Sequence, residues 1–218
     1  QAPVVPTQMA LGVVPTDSPH FVGHGGLIAG EPVRAAFEQA DVVLSVGCRF
    51  SSWMWDEHGP LMRRSHRVVN INIDPSALGH PALHQVALQA DATQALDDLL
   101  AALQAVPPTK VDPAWLGARR AAREIYEDGL QALADSAGEA GQPMHPAALA
   151  RAVAEAVPVD ALAVYDGGHT TFWSNDFTPV HAVRTRLHEP GMSHLGFGLP
   201  FALAMQLQHP GRPVFNIT

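Results

Sequence analysis

Two short runs that are mostly apolar on both faces constrain the fold more than any other feature. Val42-Val43-Leu44-Ser45-Val46 ends at Gly47, and Val68-Val69-Asn70-Ile71-Asn72-Ile73 ends at Asp74-Pro75. Runs of this length, closed by turn residues, suit strands buried on both sides of a parallel sheet. Helical stretches separate and follow them. Glu31 to Ala40 comes after Gly30 and carries Pro32 in its first turn, where a missing N–H costs little. Asp91 to Leu103 sets Ala92, Ala95, Leu96, Leu99, Leu100 and Leu103 at helical spacing behind Asp91 as N-cap. Strands alternating with helices predict an α/β fold, a Rossmann-like parallel sheet.

The pattern breaks at Val106-Pro107-Pro108-Thr109-Lys110-Val111-Asp112, where adjacent prolines without a periodic apolar face read as a linker. A long helical stretch follows from Pro113 to about Ser136, capped by Asp112. After the loop 138–143 a second α/β unit begins. It has a helix at 146–156, a strand at 161–165, a turn at Asp166-Gly167-Gly168, a helix at 196–208 and a closing strand. The expected organisation is a central domain with a nucleotide-type groove at 1–104, a linker and connecting helix at 105–142, and the beginning of another domain at 143–218. Both ends, Gln1 to Val5 and Pro213 to Thr218, read as strand interiors, so the chain is expected to be an internal piece of a longer protein.

Composition narrows the function. Lys plus Arg number 13 against 21 Asp plus Glu, a net charge of −8. Nucleic acid is excluded as the main partner, because binding it needs a basic face. The tightest basic group, Arg63-Arg64-Ser65-His66-Arg67, reads as a solvated helix end before a strand. Cys48 is the lone cysteine, so no disulfide framework exists and a reducing, cytoplasmic location is expected. No apolar run is long enough to span a membrane. There are 12 histidines but no HExxH, and His20 and His24, four apart, have Gly23 between them and Pro19 beside them, which argues against a helix that would align them as metal ligands. GxGxxG and P-loop patterns are missing too, which argues against ordinary NAD or ATP chemistry.

Ligands of open parallel sheets sit beyond the carboxyl ends of the strands. Gly23, His24 and Gly25 follow the first extended segment, Gly47 and Arg49 follow the second, Asp74 the third, and Asp91 the apolar segment Val86-Ala87-Leu88. Glycines let amides approach a phosphate, and a carboxylate after a strand can accept from ribose hydroxyls. The same residues also serve as tight turns and helix caps, and that bland reading stands beside the other. In the second unit, Asp166 to Trp173 is a strand end, a glycine turn and a helix start, which presents free N–H groups to an anion. Gly191 to Pro200 is a second glycine-rich loop entering a helix, with Pro200 best placed in its first turn.

These segments resemble those of thiamine-diphosphate-dependent enzymes of the acetolactate synthase type. Gly191 to Ala204 is similar to the family's G-x-G-T-M-G-F-G-L-P-A-A-I-G, and Asp166 to Trp173 to its D-x-G-x-H-x-x-W. Pro210 to Val214 resembles the P-x-x-x-V strand entry. Ala40 to Phe50 resembles A-D-x-x-L-x-V-G-x-R-F, and Ile71 to Pro75 resembles I-D-I-D-P. The resemblance implies a parent enzyme that decarboxylates a 2-oxo acid and passes the acyl-anion equivalent to an acceptor carbonyl. A simple 2-oxo acid or acyl-CoA-type decarboxylase or lyase is the near alternative. A non-catalytic nucleotide- or flavin-binding module is the alternative of another class.

The resemblance also implies the cofactors and the site. Thiamine diphosphate would lie near Gly168, His169 and Thr170 at its diphosphate. Ser193 and Leu195 would offer backbone atoms to the aminopyrimidine, and Leu195, in place of the family's methionine, would prop the cofactor's bend. His169 and Thr170 depart from the family's glutamine and histidine. His194 stands where the family has threonine, either facing the substrate as a proton donor or serving only as a loop histidine. The activating glutamate and the Mg²⁺ ligands are expected outside this chain, leaving it inactive alone. FAD is possible in the central groove at Gly23, His24, Gly25, Gly47, Arg49, Asp74 and Asp91, although Trp53 and Trp55 depart from the family's D-D-R. A homodimer or homotetramer with the cofactor at a subunit interface is implied.

Overall fold

The computed structural model describes residues 2–51, 54–56, 59–63, 65–79, 84–107, 112–136, 143–192 and 194–218. Trp53 and Ser193, singled out above, lie outside the described residues. Helix α1 (Glu31–Gln39) leads into β1 (Val42–Val46). A small antiparallel pair, β2 (Trp55–Asp56) and β3 (Gly59–Pro60), follows, then β4 (Arg67–Asn72), β5 (His84–Gln89) and α2 (Ala92–Gln104). Strands β1, β4 and β5 form a parallel sheet in the order β1-β4-β5, with Val42 opposite Arg67 and Arg67 opposite His84.

The long helix α3 (Pro113–Asp135) carries Asp112 as its cap, the carboxylate accepting from Ala114 N at 2.9 Å. Helix α4 (Pro146–Ala156), β6 (Leu162–Tyr165), α5 (His169–Phe177), β7 (Arg186–Leu187), α6 (Gly198–Gln208) and β8 (Val214–Ile217) complete the second unit. Its parallel sheet runs β7-β6-β8, with β6 central and every one of its residues buried. The α/β reading is therefore correct, and Pro200 falls in the first turn of α6, where it needs no intrahelical partner. The two-residue β7 carries no periodicity and was invisible in the sequence.

Two expectations need correction. The first is burial of Val42 to Val46 on both sides: Val42, Leu44 and Val46 of β1 are exposed. The second is a strand at the N-terminus. Val4 makes only an isolated bridge to Phe21 instead of a strand. Prolines at 3 and 6 withhold the N–H groups a ladder would need. Helix α2 buries none of its residues, and Leu96, Leu100 and Leu103 are 41%, 56% and 60% exposed. Val86 and Leu88 of β5 are exposed as well. An apolar stripe says which face wants burial but not what covers it, and the described residues cover little of this one.

The core follows the sheets. Ala29, Val33, Met54 and Leu61 pack together, as do Phe50, Met62 and Val68. Each such large side chain contributes about 1.5–3 kcal/mol on burial. A third cluster, Leu11, Phe21 and Val180, joins the N-terminal segment to the second unit. The main chain reinforces it, Thr16 N donating to Val180 O at 3.0 Å. Helix α3 packs against both α1 and α4, so it braces the two units.

Candidate functional site

The carboxyl end of β6 organises the second unit. Asp166 is 5% exposed and still pairs with β8 through its own N–H to Ile217 O at 2.9 Å. Its Oδ1 accepts from Gly167 N at 2.7 Å and Gly196 N at 3.0 Å. Its Oδ2 accepts from Gly196 N at 2.9 Å and Gly198 N at 3.2 Å. One carboxylate thus draws the loop before α6 onto the turn before α5. Gly198 has to be glycine here, because a Cβ would come within 2.5 Å of Asn216 Oδ1.

The two glycine loops therefore face each other. Gly168 adopts φ 75°, a conformation that side chains resist, and a Cβ on it would lie 3.7 Å from Leu195 Cδ2. Leu195 is 76% exposed, an apolar side chain standing over the turn with nothing packed on its outer side. Gly168 caps α5 without a side chain, so the first amides of that helix have no side-chain acceptor. Free amides plus the helix dipole favour an anion there. His169 is exposed at the first position of α5, its ring 6.0 Å from that of Phe172. Thr170 is half-buried and His194 exposed. The fit to thiamine diphosphate is good: uncapped amides for the diphosphate beside an apolar prop for a bent ring pair.

Behind the turn sits a residue that the sequence reading missed. His188 is 6% exposed at the end of β7. Its Nδ1 is 3.1 Å from Tyr165 O and 3.1 Å from Thr171 Oγ1. Burial is the main cause that pushes its imidazole below the ordinary value. Next to it, Glu189 accepts from Gly191 N at 2.6 Å and Met192 N at 3.2 Å. No short motif marks either residue; only the parallel register of β7 beside β6 brings them to this rim.

The first unit's rim is different. Gly47, Arg49, Asp74 and Asp91 lie exposed at the carboxyl ends of β1, β4 and β5. Gly47 takes φ 69°, and its N–H still reaches Ile71 O at 2.8 Å. Asp74 Oδ1 accepts from Ser76 N at 2.8 Å and Ser76 Oγ at 2.7 Å, bonds that hold its carboxyl below the usual range, with help from Arg49. Asp91 Oδ1 caps α2, accepting from Thr93 N at 2.9 Å. Each carboxylate keeps Oδ2 without a hydrogen-bond partner among the described residues. Asn70 and Asn72, also missed, tie this rim together. Asn72 Nδ2 donates to Cys48 O at 3.3 Å, and Asn70 Nδ2 donates to Ala77 O at 3.1 Å.

His24 does not join that rim. It is 3% exposed, with Nε2 3.3 Å from Asp176 Oδ1, an ion-pair distance lacking good hydrogen-bond angles. Asp176 Oδ2 accepts from Tyr126 OH at 3.2 Å. Burial first, then Asp176, pushes the Tyr126 phenol far above its ordinary value, so it remains a neutral donor. Residues of the first unit, α3 and α5 thus meet around a cavity of about 510 Å³ between the units. Gly23 and Gly25 belong with His24: a Cβ on Gly23 would strike Val33, and one on Gly25 would crowd Val5. Close packing, against α1 for Gly23 and against Val5 and Met54 for Gly25, thus asks for glycine at both positions. Among the described residues no group of three or more His, Cys, Asp or Glu is placed to hold a metal ion, and no helix is long and apolar enough to cross a membrane.

Comparison with known proteins bears on this arrangement. Residues 1–99 match the thiamine pyrophosphate enzyme central domain, and residues 166–218 match the C-terminal TPP binding domain of the same enzymes. The chain is 28% identical over 214 residues to acetolactate synthase isozyme 1 large subunit of Escherichia coli, covering 98% of this chain and 36% of that protein. It is 28% identical over 215 residues to pyruvate oxidase of Lactiplantibacillus plantarum, covering 99% of this chain and 34% of that protein. It is 32% identical over 213 residues to a Pseudomonas aeruginosa protein named "Probable 2-ketoarginine decarboxylase AruI", covering 97% of this chain and 35% of that protein. The chain spans about a third of the length of these relatives.

Proposed function

Because the chain belongs to the thiamine pyrophosphate enzyme family, we propose that it is the central-to-C-terminal part of an enzyme that decarboxylates a 2-oxo acid and transfers the resulting acyl-anion equivalent to an acceptor carbonyl. The observation that carries this reading is the pairing of the Gly168 turn with the Leu195 loop through Asp166. A purely nucleotide-binding module has no need of an apolar prop opposite an uncapped helix N-terminus.

Bound there, thiamine diphosphate would supply the carbanion chemistry and Mg²⁺ the charge neutralisation; the protein's part is orientation and electrostatics. Gly168, His169 and Thr170 would hold the diphosphate at the start of α5. Leu195 would keep the two rings bent, and the backbone of the 193–195 loop would meet the aminopyrimidine. His194, exposed on that loop, would hold or deliver a proton at the substrate. Closing the loop over Gly168 would exclude water from the reacting carbon. The first unit's rim would take FAD or another adenine nucleotide. Oδ2 of Asp74 and of Asp91 would accept from hydroxyls, and Arg49 would lie near the phosphates. Assembly as a dimer or tetramer, with the cofactor at a subunit interface, completes the proposal.

Simple decarboxylation of a 2-oxo acid is the second reading, favoured by the 32% identity to the 2-ketoarginine decarboxylase relative. Calorimetry on the intact protein tests the first requirement of both: thiamine diphosphate binds in the presence of Mg²⁺, and lack of Mg²⁺-dependent binding removes them together. Product analysis with pyruvate separates them. A carbon–carbon coupled product supports transfer, and an aldehyde alone supports decarboxylation.

A further inference from the structure

Resting on the cofactor reading above, we infer that His188 is a positioning residue that sets the geometry of the diphosphate-facing turn from behind. The donors and acceptors decide its tautomer. Tyr165 O can only accept, and Asp166 O can only accept. Thr171 Oγ1 donates to Asp166 O, in a short hydrogen bond. Its hydroxyl proton being spent there, Thr171 Oγ1 can only accept from His188, which lies 3.1 Å away. His188 therefore carries its proton on Nδ1 and shares it between Tyr165 O and Thr171 Oγ1.

The result is a relay that runs beneath the turn. His188 Nδ1–H reaches Thr171, and Thr171 reaches the carbonyl of Asp166, the residue whose carboxylate gathers Gly167, Gly196 and Gly198. Thr171 is 0% exposed and is the third residue of α5, so fixing its side chain fixes the first helical turn behind the uncapped amides. The imidazole also lies beside Phe197, with ring centroids 5.8 Å apart and the rings tilted by 47°, and Phe197 opens α6 directly after Gly196. His188 thus touches both glycine loops at once without reaching the cofactor's place. Register explains why this position can do so. Ala163 pairs with Arg186 and Val164 with Leu187, so His188 stands level with Tyr165 at the sheet's carboxyl rim. Glu189, one residue on, holds the amides of Gly191 and Met192, so the end of β7 anchors the beginning of the second loop too.

The test compares thiamine diphosphate with thiamine as calorimetric probes on the intact protein at saturating Mg²⁺. His188→Leu removes the donor while keeping an apolar body. Its Kd for thiamine diphosphate rises about tenfold or more, while that for thiamine changes less than about threefold, because the relay acts on the amides that meet the diphosphate. His188→Asn restores an N–H near the position of Nδ1 and recovers binding to within about threefold of wild type. Thr171→Val cuts the relay one bond further on, and the double variant Thr171→Val/His188→Leu loses no more than the worse single one. If His188→Leu fails to fold, Thr171→Val alone carries the test through the same Kd ratio. The inference is overturned by unchanged thiamine diphosphate binding in the folded variants. It is equally overturned by equal loss for both probes, or by additive losses in the double variant. A wild-type protein that binds neither probe removes the cofactor reading itself and this inference with it. Wild-type binding with insensitive variants removes this inference alone.

Discussion

Replacing Asp166 with Asn should cost both stability and cofactor affinity, and the size follows from its hydrogen bonds. The carboxylate accepts from Gly167 through Oδ1, from Gly198 through Oδ2, and from Gly196 through both. Asn keeps one acceptor oxygen and puts an NH₂ in place of the other. Whichever way it flips, one of the buried amides, Gly167 or Gly198, then faces a donor. Gly196 is exposed, so water replaces part of what it loses and it is left out of the sum. A buried donor deprived of a charged acceptor costs about 1.5–3 kcal/mol. For a unit of 150–250 residues that is a fall of roughly 3–12 °C in Tm. The Leu195 loop, no longer tied to the Gly168 turn, should also bind thiamine diphosphate at least about tenfold more weakly. Urea unfolding and calorimetry of the intact protein give the two numbers. A change below about 0.5 kcal/mol together with unaltered Kd would refute the idea that this carboxylate joins the loops.

Gly198→Ala should destabilise by about 1–3 kcal/mol in urea unfolding, since its Cβ meets Asn216 Oδ1 at 2.5 Å and Asp166 Oδ2 at 3.1 Å with little room to shift. Tyr126→Phe removes the donor to Asp176 Oδ2 and should cost about 0.5–1.5 kcal/mol, read as a lower urea midpoint. pH should act through His188, which Arg186, Glu189 and Asp166 influence electrostatically. Its folded pKa lies below the ordinary 6.5, so as pH falls past that value the unfolded chain takes up the proton first. Stability therefore drops from about pH 6.5 downward to the folded pKa, and His188→Asn should flatten that part of the profile in unfolding scans.

What was legible in the sequence was what local chemistry writes twice. Val42–Val46 and Leu162–Tyr165 announce strands because they are apolar on both faces and end at glycine or aspartate. Asp91 announces a helix because a cap and a periodic stripe agree, and Asp112 because a cap precedes a proline at the first helical position. The glycines of both loops were legible as positions that need glycine, Gly168 for its positive φ and Gly198 for close approach. Ligand approach and tight packing demand the same residue, however, so Gly23 and Gly25 read like groove residues while a Cβ on them would also meet Val33 and Val5. The pairing of His24 with Asp176 was not legible, because that partner is distant in sequence and meets it only through the third dimension. His188 left no trace because β7 is too short for a period and its partners, Tyr165 and Thr171, lie on two other elements.

The two sheet rims are chemically complementary to different ligands, and the difference lies in how each disposes of its carboxylates. At the first rim Asp74 and Asp91 each spend one oxygen capping a following helical turn and leave the other free. That rim offers acceptors beside the cation Arg49, the needs of a ligand bearing both hydroxyls and phosphates. At the second rim Asp166 spends both oxygens inward on glycine amides, and Gly168 brings no side chain to cap α5. That rim offers donors beside the exposed apolar Leu195, the needs of a ligand with an anionic tail and a flat apolar body. A hydroxyl-rich ligand at the second rim would find few acceptors. Where each carboxylate points therefore makes the first rim a source of acceptors and the second a source of donors.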